Sequence, residues 1–217
     1  MMVMIFLLLN SCIRHHENFF HLENKKKTIA IQPLDYYDTA RLSFIRDELS
    51  HFYQRKVIIL QPINIPGSFN LRMGAELYSA DSLLDMLSGK LTDEIIEVIG
   101  ITHKDIFMLK NPSENPLLDY RVQPVFGLAD FSGNCGIVSD FRLFSIDSLL
   151  FNHRLRTVVI HEIGHNIGLD HCSFDRCIMS DQNAKLSAID STGNDYCNDC
   201  KKKLQNCLCC KHFSIRF

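Results

Sequence analysis

The stretch "HEIGHNIGLDH", His161 to His171, restricts how this chain can fold more than any other segment. His161 and His165 are four positions apart, and on an α-helix such positions share a face. Two imidazoles placed there can bind one ion through their ring nitrogens. Gly168 stands where that helix must stop, because glycine turns sharply at little cost. The turn brings His171 back toward the same ion. Any fold must therefore gather a helix end, a tight turn and a third histidine around one point. Three neutral imidazoles suit zinc, and three protein ligands leave a fourth place for water, as in catalytic rather than closed sites.

Glu162 follows a ligand directly but points about a third of a turn away, so it is not an easy ligand itself. It can reach a water on the zinc, whose pKa the metal lowers toward about 7. A base beside an acidified water, with the same ion polarising a carbonyl, is the equipment for metal-assisted hydrolysis, and His-Glu-x-x-His supplies it at the required steps. His51, His103 and His153 have no such partners and read as ordinary satisfied histidines.

The eleven-residue array resembles the metzincin motif, and by that resemblance Met179 is the methionine of the Met-turn beneath the metal. The pattern continues past His171: Cys172, four residues, Cys177-x-Met179, seventeen residues, then Cys197-x-x-Cys200. This resembles the archaemetzincin family of zinc peptidases, tightly over residues 161–200. The likeness extends more loosely over "VFGLADFSGNCGIVSDFRL" (125–143), similar to the family's upper edge strand. It is silent on the first 30 residues and the last 17. The resemblance implies an α/β (α+β) metzincin-like single domain, with a mixed twisted sheet, an active-site helix and a small C-terminal zinc-binding subdomain. It implies that Cys172, Cys177, Cys197 and Cys200 bind a second zinc, giving two ions per chain. It also implies a peptide substrate extended along an edge strand near 135–143. Four thiolates would make a closed, structural site. The rival is two disulfides among the same cysteines, which an exported protein permits; the spacing favours metal.

The remaining cysteines say less. Cys135 reads as a small buried residue in the strand connection. Cys207, Cys209 and Cys210 fit a tail disulfide, a further metal contact or a reactive surface equally well. Cys12 ends "LNSC" after the apolar run Met2–Leu9, which is too short to span a bilayer. That run suits a signal peptide, and the ending resembles a lipobox, although no Lys or Arg precedes it. On that reading residues 1–12 are a signal, 13–27 a polar tether, and acylated Cys12 anchors an exported lipoprotein to a membrane. A cytoplasmic protein is the alternative.

Along the rest of the chain, Thr28–Leu34 reads as a strand. Asp38 can cap a helix with Leu42, Ile45, Leu49 and Phe52 on one stripe. Val57–Ile65 reads as a second strand, residues 79–90 as a helix with Leu83, Leu84 and Leu87 inward, and 92–99 as a short helix. "DIFMLK" reads as a strand, and 125–143 as two strands joined by "FSGNCG", where Gly133 and Gly136 can supply positive φ. Residues 147–167 form the histidine helix. The peptidase domain then spans 28–206, with subdomains at about 28–168 and 169–206, and a tail at 207–217. A length of 217 residues suits one such domain, and a net charge of −2 offers no bulk electrostatic case for nucleic acid. The expected function is a zinc-dependent metallopeptidase with Glu162 as general base, acting on a peptide or protein. A catalytically silent two-zinc binding protein with this fold is the alternative, and a hydrolase of non-peptide bonds would use the same ligands. Oligomeric state is not legible.

Overall fold

The computed structural model describes residues 27–206, apart from 66, 68, 71–75, 111–120, 132 and 182–184. The elements in chain order are β1 (Thr28–Pro33), α1 (Thr39–Tyr53), β2 (Lys56–Ile59), β3 (Phe69–Asn70), β4 (Glu76–Ser79), α2 (Ala80–Ser88), β5 (Ile95–Thr102), β6 (Ile106–Lys110), β7 (Arg121–Val125), β8 (Gly127–Ala129), β9 (Cys135–Ser139), α3 (Ser148–Asn166), α4 (Leu186–Ser191) and α5 (Asn198–Asn206). The main sheet runs β2-β1-β5-β9-β8, and a smaller sheet runs β3-β4-β6-β7. In the main sheet β2, β1, β5 and β9 are parallel, while β8 pairs antiparallel on the edge. This is the mixed α/β arrangement the resemblance implies.

Alternation along the strands sorts the core into two layers. Ile29, Ile31, Ile99, Ile101 and Val138 face α1 and α3, with Leu42, Ile45, Leu49, Leu155, Val158 and Val159 packed against them. Ala30, Val98 and Ile137 face the other way, onto Leu83 and Leu87 of α2. Asp38 caps α1 by accepting from the Ala40 amide, and Ser79 caps α2 by accepting from Ser82. Leu84, expected inward, is only half-buried.

Three expectations need correction. Residues 95–102 form an interior strand rather than the short helix expected over 92–99. "IIEVIGIT" is β-branched and almost wholly buried, which suits a strand covered on both faces. The second strand stops at Ile59, and beyond it only Ile63 keeps an isolated bridge, to Leu34. Gly133 and Gly136 do not take positive φ; among the described glycines only Gly67 and Gly168 do. Their need is space: a Cβ on Gly136 would lie 2.7 Å from Ile99 Cδ1, and one on Gly133 would lie 2.3 Å from an Asp130 carboxylate oxygen. Residues 1–26 and 207–217, with Cys12, Cys207, Cys209 and Cys210, lie outside the described residues.

Candidate metal centre

α3 starts at Asp147, whose side chain accepts from the Leu149 and Leu150 amides. Its last three turns are buried on nearly every side, between the main sheet and the chain that follows Gly168. Gly168 ends it with φ 90°, and its amide donates to the His165 carbonyl. The Leu169 amide then donates to Gly164, closing the turn that carries His171 back. His161, His165 and His171 converge, each offering one nitrogen within 4.8 Å of the others.

Two backbone carbonyls set the histidine protons. His161 Nδ1 donates to the Ile178 carbonyl at 2.7 Å, and His165 Nδ1 donates to Leu169 at 2.7 Å. A carbonyl can only accept, so each Nδ1 carries the hydrogen and each Nε2 presents a lone pair. Those Nε2 atoms stand 3.1 Å apart, acceptor facing acceptor. Burial, then neighbouring His165, holds His161 down to about 3, so protonation does not relieve the pair at neutral pH. A divalent cation fits this donor set.

Glu162 is buried on the sheet side of α3, against β8. A Cβ on Gly127 would lie 2.5 Å from Glu162 Oε1, so only a residue without a side chain lets the carboxyl sit there. Burial pushes this carboxyl up to about 8. A cation at the histidines would pull it down.

Below the histidines, Met179 is fully buried, and a Cβ on Gly164 would lie 2.3 Å from its sulfur. The Cys172 amide donates to the Met179 carbonyl at 2.7 Å. Cys172, Cys177, Cys197 and Cys200 bring their sulfurs within 4.8 Å of one another. Cys172 and Cys197 are 3.6 Å apart, Cys177 and Cys200 3.7 Å. A disulfide needs about 2.05 Å, and all four are free thiols. The Phe174 and Cys197 amides point at Cys172 and Cys177 sulfurs. The four sulfurs thus form a compact cluster suited to one ion, and the rival pair of disulfides is not formed. Cys135 is buried, as expected, but it opens strand β9 rather than lying in the connection before it.

The expected substrate edge moves. Residues 135–139 lie inside the sheet, between β5 and β8, so they offer no free edge. The hairpin folds back, and Gly127–Ala129 becomes the border strand. Three supporting contacts were not read from the sequence. Gly127 against Glu162 had a weak signal, since a glycine within a strand often marks a close approach. The Asn166 side-chain amide donates to Glu97, which is wholly buried in β5. The Tyr196 hydroxyl donates to the Ile160 carbonyl at 3.0 Å and meets the Tyr53 hydroxyl at 2.8 Å.

The sequence matches the family profile described as Peptidase family M54 over residues 42–206. An archaemetzincin of Archaeoglobus fulgidus is 28% identical over 177 residues, covering 82% of this chain and 98% of that protein. An archaemetzincin of Halobacterium salinarum is 36% identical over 163 residues, covering 71% of this chain and 86% of that one. The crystal structure of archaemetzincin from Methanopyrus kandleri superposes with a TM-score of 0.66 at 26% identity, covering 83% of this chain and 94% of that one. With a profile spanning most of its length and relatives matched nearly end to end, the chain belongs to peptidase family M54, the zinc metallopeptidases that act on peptide substrates.

Proposed function

We propose that His161, His165 and His171 hold a catalytic zinc and that Glu162 is the general base of peptide hydrolysis. The observation that carries this reading is the pair of facing Nε2 acceptors, each committed by a backbone carbonyl on its Nδ1. Zinc, when bound, supplies a Lewis acid that acidifies water and polarises a carbonyl. Glu162 takes the proton of the attacking water on its carboxylate and returns it to the leaving amine. Gly127 leaves the space in which that carboxylate sits. The substrate backbone lies along the free edge of β8, as an added strand. Cys172, Cys177, Cys197 and Cys200 hold a second, structural zinc. It keeps Met179 and His171 in register through the Cys172–Met179 backbone bond.

The test is hydrolysis of a mixed peptide library, with and without a chelator, beside Glu162→Gln. The expected result is loss of activity on chelation, and a Glu162→Gln variant that keeps two zinc per chain while losing turnover. Turnover intact in Glu162→Gln removes the base role. A silent two-zinc scaffold predicts no hydrolysis by the wild type at all.

A further inference from the structure

A second polar cluster lies at the opposite end of α3 from the histidines. The chain leaves β1, β5 and β9 at the carboxyl ends of three adjacent parallel strands, the rim where open α/β sheets take up ligands. Each exit contributes one side chain to the cluster: Tyr37, His103 and Asp140. The Tyr37 hydroxyl donates to Asp140 Oδ2 at 2.6 Å, and His103 Nδ1 meets Oδ1 at 2.7 Å. The Tyr37 and His103 rings stack at 4.2 Å and 7°. Asp140 and Tyr37 are buried, whereas His103 is partly exposed. The imidazole is therefore held by its face and by Nδ1.

His103 and Asp140 line a cavity of about 640 Å3 together with Arg41, Phe141, Phe144 and Ile146. Arg41 is unlike its neighbours. Arg142, Arg154 and Arg156 each meet a carboxylate at 2.6 Å. Among the described residues no carboxylate lies within salt-bridge distance of Arg41. Its Nε is buried without a hydrogen-bond partner, and its guanidinium is pinned 4.0 Å over the Phe151 ring. A guanidinium held in place by stacking and lacking an anion is disposed to bind one, and carboxylates match its fork. The surrounding walls are apolar, with Phe144 and Ile146 open to solvent.

We propose that this cavity is a second ligand site, which binds a small carboxylic acid with an apolar body. The carboxylate sits on the Arg41 guanidinium, while the body lies on Phe141, Phe144 and Ile146. Ser148 lines the cavity and His161 stands 13 positions further along α3, roughly 20 Å away at 1.5 Å per residue. The site is thus separate from the metal centre.

The experiment is calorimetric titration of the zinc-loaded full chain with decanoate, with decanol and acetate as controls. Decanoate is expected to saturate one site with Kd below about 1 mM. Decanol, which lacks the charge, and acetate, which lacks the body, should each bind about tenfold more weakly or worse. Arg41→Met and Ile146→Asp should each weaken decanoate about tenfold or more, with library hydrolysis in its absence unchanged. Ile146 is 97% exposed, so its variant folds and decides the matter if Arg41→Met does not. Absence of saturable binding, equal binding of decanol, or full decanoate affinity in Ile146→Asp overturns the proposal. The last result would put the carboxylate elsewhere, as on the zinc. The readout is independent of peptidase turnover.

Discussion

Gly127→Ala probes Glu162 without touching it or any proposed ligand. The added methyl would start 2.5 Å from Oε1, 2.7 Å from Cγ and 2.8 Å from Cδ of Glu162, where ordinary contact begins at 3.4 Å. Residue 127 sits on the border strand of a sheet, paired to Val138, so the backbone is slow to yield. The side chain of Glu162 must retreat instead, by roughly 1 Å. A misplacement of that size costs on the order of 10²-fold in rate, or about 2.7 kcal/mol of barrier. His161 and His165 are oriented by Ile178 and Leu169, on the other side of α3, so zinc retention should not change. The assay is turnover of one fluorogenic peptide chosen from the library, with zinc content measured on the same samples. The expected result is kcat down about a hundredfold at unchanged zinc and little altered KM. A variant within about threefold of wild type, well under 1 kcal/mol, would refute the assigned geometry of the base. Loss of zinc in parallel with rate would refute it too, since the three atoms nearest the added methyl all belong to Glu162.

Cys197→Ser removes one of the four sulfurs while leaving every histidine in place. If that cluster holds His171 and Met179 in register, affinity at the histidines should fall about 10–100-fold in competition with a chelator, as for other supporting groups around a metal; unchanged affinity contradicts the coupling. Glu97→Gln tests the anchor under the end of α3. Burial lifts the Glu97 carboxyl well above its ordinary value of 4.5, against a weaker opposing hydrogen bond from Asn166. The unfolded chain therefore sheds this proton first, and stability drains away as pH rises from about 4.5 toward the folded value. Glutamine keeps an acceptor for Asn166 and adds a donor near the unpartnered Asn166 Oδ1. The variant should be more stable than wild type at pH 8 by about 1 kcal/mol or more, and equal to it near pH 4, in urea melts. A wild type that is the more stable at pH 8 would contradict this.

The candidate metal centre was legible because its geometry is local. The spacing of His161 and His165 and the glycine at 168 dictate a helix, a turn and a returning third histidine within eleven residues. The four cysteines were legible as a group through their pattern, whose spacing already favours metal, and the gathering of all four sulfurs at one point agrees with that reading. The strands were harder wherever tertiary contacts decide. Residues 95–102 carry apolar side chains at steps that suit a helix or a strand, and only the flanking strands β1 and β9 settle it. Which half of the 125–143 hairpin borders the sheet is likewise invisible locally, because pairing to β5, some thirty residues upstream, makes β9 interior. The partners of Glu162, Asn166 and Ile160 come from positions 30–110 residues away, and no local period announces them.

The most direct measurement is X-ray absorption at the zinc edge on the zinc-loaded chain, with metal content determined on the same sample. Two zinc per chain are expected, in two environments: one of four sulfurs at about 2.3 Å, and one of nitrogen and oxygen at about 2.0–2.1 Å. The Cys197→Ser variant should lose sulfur scattering first. A single zinc surrounded only by sulfur, with no nitrogen-bound population at full loading, would contradict the claim that His161, His165 and His171 share one ion.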